Sequence, residues 1–201
     1  MSSPEFYTVN RNTSIEHRVK DSLFIAHLSP APSRDDAEKY IAEIREKYAD
    51  ATHNCFAYRI GTDDQSIYRF DDDGEPGGSS GRPILQAMEG RALTDAVIVV
   101  TRYFGGTKLG VGGLVRAYSG AAFVAMDAAE FLPILRKIEL QLHYDFNDTG
   151  TVHNVLAHYN AKILETTYAN SVFIKIQVLE DQKAEIMQEL IDRTRGRIHI
   201  Q

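Results

Sequence analysis

Ten of the fourteen glycines in this 201-residue chain fall between positions 74 and 113. Glycine loses more backbone freedom on folding than any other residue, so such density marks a place where the path of the main chain matters more than side-chain bulk. The stretch reads FDDDGEPGGSSGRPIL, then an apolar segment, then VTRYFGGTKLGVGGLVRAYSGA. Four cations punctuate it: Arg82, Arg102, Lys108 and Arg116. A strand that enters a glycine-rich loop and leaves as a helix offers bare N–H groups at the positive end of a helix dipole, which suits an anion. The working surface of the chain is expected here.

Length allows one large or two small domains, and an apolar content of 43% is enough for a core. The formal charge of −6 argues against a generic polyanion binder, so any nucleic-acid contact has to use a local basic patch. The single cysteine, Cys55, cannot form an internal disulfide and fits a reducing compartment. No apolar run approaches the roughly 18 residues of a membrane span. The polar, mixed-charge start does not read as a signal peptide. A cytoplasmic protein is expected.

Strands are expected near Phe6–Val9, Ile15–Val19 and Leu23–His27, followed by a helix that Ser33 and Asp36 open as a capping box. Thr52–Ile60 alternates, with Phe56, Tyr58 and Ile60 on one face and His53, Cys55 and Ala57 on the other. The turn Gly61–Asp64 joins it to Ile67–Phe70 as a hairpin. Pro83 opens a short helix, Ile84–Glu89, and the run AVIVVT suits an interior strand. A long helix is expected over Gly113–Phe131, closed by Pro133. From Lys137 on, the order of alternating and helical segments is βαββαβ. The open face of that sheet is expected to show Glu139, Gln141, His143, Phe173, Lys175 and Gln177. Two domains result, 1–134 and 135–201.

The loop around Arg102 and Arg116 admits two arrangements. A phosphate sits among Arg82, Arg102, Lys108, Arg116 and the backbone N–H groups of Gly105, Gly106, Gly110, Gly112 and Gly113. Alternatively, the carboxylates of Asp72, Asp73 and Glu75 neutralise the cations and the two loops clasp each other. Arg116, expected in the first helical turn, faces the positive end of the dipole at a cost of about 0.3–1 kcal/mol, which either negative partner would offset. Neither standard phosphate fingerprint fits: Lys108 is followed by Leu109, not Ser or Thr, and Val115 stands where GxGxxG needs glycine. Asp72, Asp73 and Glu75 are also candidate Mg²⁺ ligands beside a phosphate, or simply turn formers. His53 and Cys55 project side by side along one strand, about 7 Å apart, which suits a buried pair better than a nucleophile and its base.

The segments ATHNCFAYRIG, DDGEP, GRP, TRYFGG, KLG and GGLVRAYS closely resemble the IMPACT family, in particular its bacterial YigZ-type members. The resemblance implies an α+β protein. Its first domain would have the fold of ribosomal protein S5 domain 2, and its second would be ferredoxin-like, resembling late domains of elongation factor G. It also implies a role in translation or its regulation, with RNA or ribosomal components as partners. Eukaryotic relatives carry an additional N-terminal RWD domain, so their partner is not transferred. Two other functions stay open: an enzyme acting on a small phosphorylated or nucleotide substrate through the glycine-rich loop, and a pure protein-interaction module. No recognised nucleophile–base set is present, so catalysis is not indicated.

Overall fold

The computed structural model describes residues 5–62 and 66–201. These divide into two compact units, one ending at Ile134 and one beginning at Leu135. Each mixes helices with antiparallel sheet, so the chain is α+β.

The first unit is built on five strands: β2 (Thr13–Val19), β3 (Ser22–Pro30), β4 (His53–Ile60), β5 (Ile67–Asp71) and β6 (Ala96–Tyr103). Their order is β2-β3-β6-β4-β5, every neighbour antiparallel. β1 (Phe6–Val9) pairs separately with β7 (Phe131–Ile134). β6 lies at the centre, which explains its unbroken apolar run, because both faces are covered. Ala96, Ile98 and Val100 pack under α2 (Gly81–Gly90) and α3 (Val111–Asp127). Val97 and Val99 face α1 (Arg34–Lys47). The alternation of β4 divides in the same way: Cys55 and Ala57 go to the first core, Phe56 and Tyr58 to the second. Ser33 caps α1 by accepting the Asp36 N–H at 3.2 Å.

Two helices differ from the sequence reading. α2 begins at Gly81 rather than Ile84, because the Asp72 carboxylate already satisfies the N–H groups of Ser80 and Gly81. α3 starts at Val111 and ends at Asp127, short of Pro133, which instead lies within β7 opposite Tyr7. A proline tolerates such a short two-stranded ribbon because only one side of it needs donors. Part of the predicted turn Gly61–Asp64 falls on residues outside those described.

His27 on β3 is 1% exposed. Its Nδ1 lies 2.9 Å from Ser14 Oγ, its ring packs on Tyr48, and its Nε2 has no partner. Burial, aided by the charge of Lys47, lowers its pKa to about 4. The unfolded chain takes up this proton near pH 6.5, the folded chain only near 4. The stability contribution is therefore complete above pH 6.5 and declines as pH falls toward 4. Urea midpoints followed from pH 7.5 to 4.5 should fall more steeply in the wild type than in His27→Gln; parallel curves would show that His27 does not titrate in this way.

The second unit runs β8 (Lys137–Tyr144), α4 (Thr149–His158), β9 (Lys162–Tyr168), β10 (Val172–Leu179), α5 (Lys183–Arg193) and β11 (His199–Ile200). Its sheet order is β11-β8-β10-β9. Leu140, Leu142, Ile174 and Ile176 meet Val152, Leu156, Ile186 and Leu190 in its core. The opposite face carries no helix, since both helices pack on the side where these apolar residues point. Gly196 follows α5 with φ 75° and stops it.

Candidate functional site

The acidic run is consumed by three separate tasks. The Asp72 carboxylate accepts from the N–H groups of Gly78, Ser80 and Gly81 and from Ser80 Oγ, and so serves as the cap of α2. Burial opposes its ionisation, but these bonds outweigh burial and hold the carboxyl below the usual range. Asp73, at φ 45°, accepts from Asn54 N–H at 2.6 Å and from Arg45 Nη2 at 3.0 Å. Glu75 turns inward, 8% exposed, and meets Arg102 Nη1 at 2.5 Å. Among the described residues no group of three or more His, Cys, Asp or Glu side chains is arranged to hold a metal ion.

Arg102 is 5% exposed. Its guanidinium lies 5.4 Å from the ring centroids of both Phe24 and Phe104. Tyr118 of α3 donates its hydroxyl to the same Glu75 oxygen at 2.8 Å. His53 closes the cluster: its Nδ1 lies 2.7 Å from the Asp73 carbonyl, and its Nε2 lies 3.9 Å from Glu75. A carbonyl only accepts, so Nδ1 carries the proton. Cys55 Sγ donates to the Asp72 carbonyl at 3.1 Å and contacts Tyr118 Oη at 3.4 Å. Burial pushes the Cys55 thiol up to about 12, which leaves essentially no thiolate at neutral pH. Burial, with Cys55 and Glu75 alongside, also raises Tyr118 well above the ordinary tyrosine range. Arg102 thus takes the clasp arrangement: it joins the loop after β5 to the strand before the glycine loop.

The other three predicted cations are exposed and enter no ion pair among the described residues: Arg82 on α2, Lys108 in the loop and Arg116 on α3. Arg116 lies in the second turn of α3 rather than the first, because that helix begins two residues earlier than expected. α3 has Gly110 as its N-cap, with no side-chain cap and no acid in its first turn, so its leading N–H groups keep their capacity. Beside this start lies a recess of about 180 Å³, lined by Val19, Lys20, Leu109, Gly113, Arg116 and Ala117. Gly112 lies beside Arg116: a Cβ there would make an ordinary contact with Nη1 at 3.7 Å. Lys20 was not singled out from the sequence. It sits in the tight turn between β2 and β3 at φ 50°, and nothing in VKDS marks it as a neighbour of a helix about ninety residues on. What brings it there is Asp21, which accepts from Thr107 Oγ1 at 2.5 Å and lies against Gly105. Gly106 and Gly110, at φ 97° and 72°, turn the loop back toward α3. The structure therefore gathers Lys20, Gly113 and Arg116 around one hollow, leaves Arg82 and Lys108 outside its lining, and buries Arg102.

These features define an α+β protein with two glycine-rich loops tied by a buried arginine–glutamate pair and a cationic hollow at the start of its longest helix. Residues 20–126 match the Impact N-terminal domain, and residues 142–197 match a domain of unknown function, DUF1949. The chain is 39% identical over 184 residues to an IMPACT family member of Thermus thermophilus, covering 91% of this chain and 99% of that one. It is 34% identical over 197 residues to the IMPACT family member YvyE of Bacillus subtilis, covering 97% and 89%. A crystal structure of a hypothetical protein superposes with a TM-score of 0.65 at 28% identity, over 97% of this chain and 95% of that one. The chain belongs to the IMPACT family and is of the bacterial, YigZ type.

Proposed function

We propose that this IMPACT-family protein is a cytoplasmic, translation-associated binding protein that holds RNA phosphate in the hollow at the start of α3. Lys20 and Arg116 supply charge, the N–H groups around Gly112 and Gly113 supply donors, and Lys108 and Arg82 extend the basic surface. The observation that carries this reading is the convergence of two exposed cations on an uncapped helix start beside a recess. Arg102 has no place in the contact, since Glu75 already holds it. We read the first unit as ribosomal protein S5 domain 2-like. The βαββαβ connectivity and the strand order β11-β8-β10-β9 support a ferredoxin-like reading of the second, of the kind found late in elongation factor G.

Filter binding of a structured RNA across a salt series tests the proposal. Each phosphate contact contributes close to one unit of slope in log K against log salt, so Lys20→Ala/Arg116→Ala should lower the slope by about two and weaken binding to all sequences alike. A wild-type affinity that is weak and flat in salt would dispose of the reading. Stabilisation of the protein by a phosphorylated metabolite, with no RNA retained on the filter, would reassign the hollow to a small ligand.

A further inference from the structure

The uncovered face of the second unit's sheet has a more definite shape than an ordinary solvated surface. Pairing register sets four side chains in one row across all four strands: Thr167, Phe173, His143 and His199. The His143 and Phe173 rings stack at 4.1 Å with only 3° between their planes. His199 continues the row, 5.8 Å from His143 at 26°. The His143 ring is held by Ser171, whose Oγ lies 2.6 Å from Nε2. A large apolar ring at the middle of a sheet is normally covered, yet Phe173 is 45% exposed. Two residues along the strands, on the same face, lies a second row, Glu165, Lys175, Gln141 and Gln201. The two rows line a cavity of about 400 Å³, within the range of about 300–1,000 Å³ usual for small-molecule sites.

We propose that this cavity binds an unstacked nucleobase. Side chains stand roughly perpendicular to a sheet; one face of the Phe173 ring lies against His143, so a planar heterocycle can stack on its other face, on the Thr167 side. The neighbouring row supplies what the edge of a base requires: Gln141 and Gln201 offer both donors and acceptors, and Glu165 accepts. Charge points the same way. Lys175 is paired with Glu139, which leaves no cationic surplus to hold a phosphate; the occupant is recognised by its ring. Open four-stranded sheets bearing aromatic side chains bind single-stranded bases by this combination of stacking and edge contacts. The base can come from a free nucleoside or from a single-stranded RNA, and only the second source rests on the RNA reading above.

Full-length protein titrated with 2-aminopurine riboside, and separately with a short single-stranded RNA carrying 2-aminopurine, tests the site by quenching of that base's fluorescence. Stacking on one aromatic side chain is worth about 1–3 kcal/mol, so Phe173→Ala should weaken binding on the order of tenfold or more, whereas Phe173→Tyr should retain it. Phe173 points away from the core, and an unchanged urea midpoint will confirm that the alanine variant folds. Riboside binding should be insensitive to salt and unaffected by Lys20→Ala/Arg116→Ala, so failure of the phosphate hollow would not be mistaken for failure here. Quenching of both probes, or of either one alone, that is lost in Phe173→Ala supports the site and names the source. Absence of quenching with both probes, or quenching that survives Phe173→Ala at full strength, overturns it.

Discussion

Replacing Glu75 by alanine is expected to lower the unfolding free energy by about 3–5 kcal/mol, the loss typical of a buried charge deprived of its counter-charge. Arg102 and Glu75 have side chains only 6% and 4% exposed. Arg102 Nε already lacks a hydrogen-bond partner, so the guanidinium depends on Glu75 and on a long contact to Ser22 Oγ at 3.4 Å. Tyr118 would lose its acceptor in the same substitution and keep only Cys55. Glu75→Gln should fall between wild type and Glu75→Ala, because an amide oxygen still accepts from both donors without carrying charge. The double variant Glu75→Ala/Arg102→Met should recover most of the loss, since the stranded charge is gone and the apolar stem still packs between Phe24 and Phe104. Guanidinium or urea denaturation of the four proteins measures these differences. A loss in Glu75→Ala below about 1 kcal/mol, the size seen for exposed pairs, would mean that the two loops are not tied through this pair.

Gly105→Ala should be nearly as damaging, by about 3 kcal/mol, the upper end for forcing an added methyl into an occupied space. A Cβ at that position would stand 1.8 Å from the carbonyl oxygen of Asp21 and 2.2 Å from its carbon. Both atoms are backbone, so no rotamer change relieves the clash. The turn between β2 and β3 has to move off the glycine loop, and the Thr107–Asp21 bond goes with it. Gly106→Ala is the matched control. No atom lies within 4 Å of its added methyl, but its φ of 97° makes the backbone itself strained, at about 1–3 kcal/mol. Thermal denaturation ranks the two. Because the same displacement carries Lys20 away from Arg116, Gly105→Ala should also reduce RNA retention, whereas Gly106→Ala should reduce it less. Equal stability of Gly105→Ala and wild type would show that the turn and the loop do not touch.

Both predictions concern contacts that no local pattern announces. Within the glycine-rich region the residue types were legible and the partners were not. Arg102 and Glu75 stood out as a cation and an acid in neighbouring motifs, compatible equally with a phosphate and with each other. The choice between them follows from β6 pairing beside β4 with His53 opposite Arg102, which places the arginine under the loop that follows β5. Lys20 was overlooked for the same reason: its relation to Arg116 exists only through the Asp21 contacts with the loop. α3 starts at Val111, two residues ahead of the expected Gly113, because Gly110 and Gly112 give Val111 and its neighbour the local look of loop, although a helix covered on one face by a core tolerates a glycine in its first turn. At its other end α3 stops at Asp127, well before Pro133, because a proline bars a helix from continuing through it but does not mark where the helix ends.

Sequence alone was sufficient for the elements whose signal is local. The apolar alternation of β4, the unbroken run of β6, the Ser33 cap and the βαββαβ order after Lys137 each depend on residues within a few positions of one another, where period 2 or 3.6 sets the exposed face. It was sufficient, too, for the family, whose motifs are contiguous. Tertiary structure decided which cation is buried, which carboxylate caps a helix, which lysine joins the hollow, and that His143, Phe173 and His199 stand in one row. The Asp72 cap is settled by the fold of one loop; the other relations join residues tens of positions apart through strand order and register, and in the sheet row a one-residue change of register would turn a side chain to the opposite face.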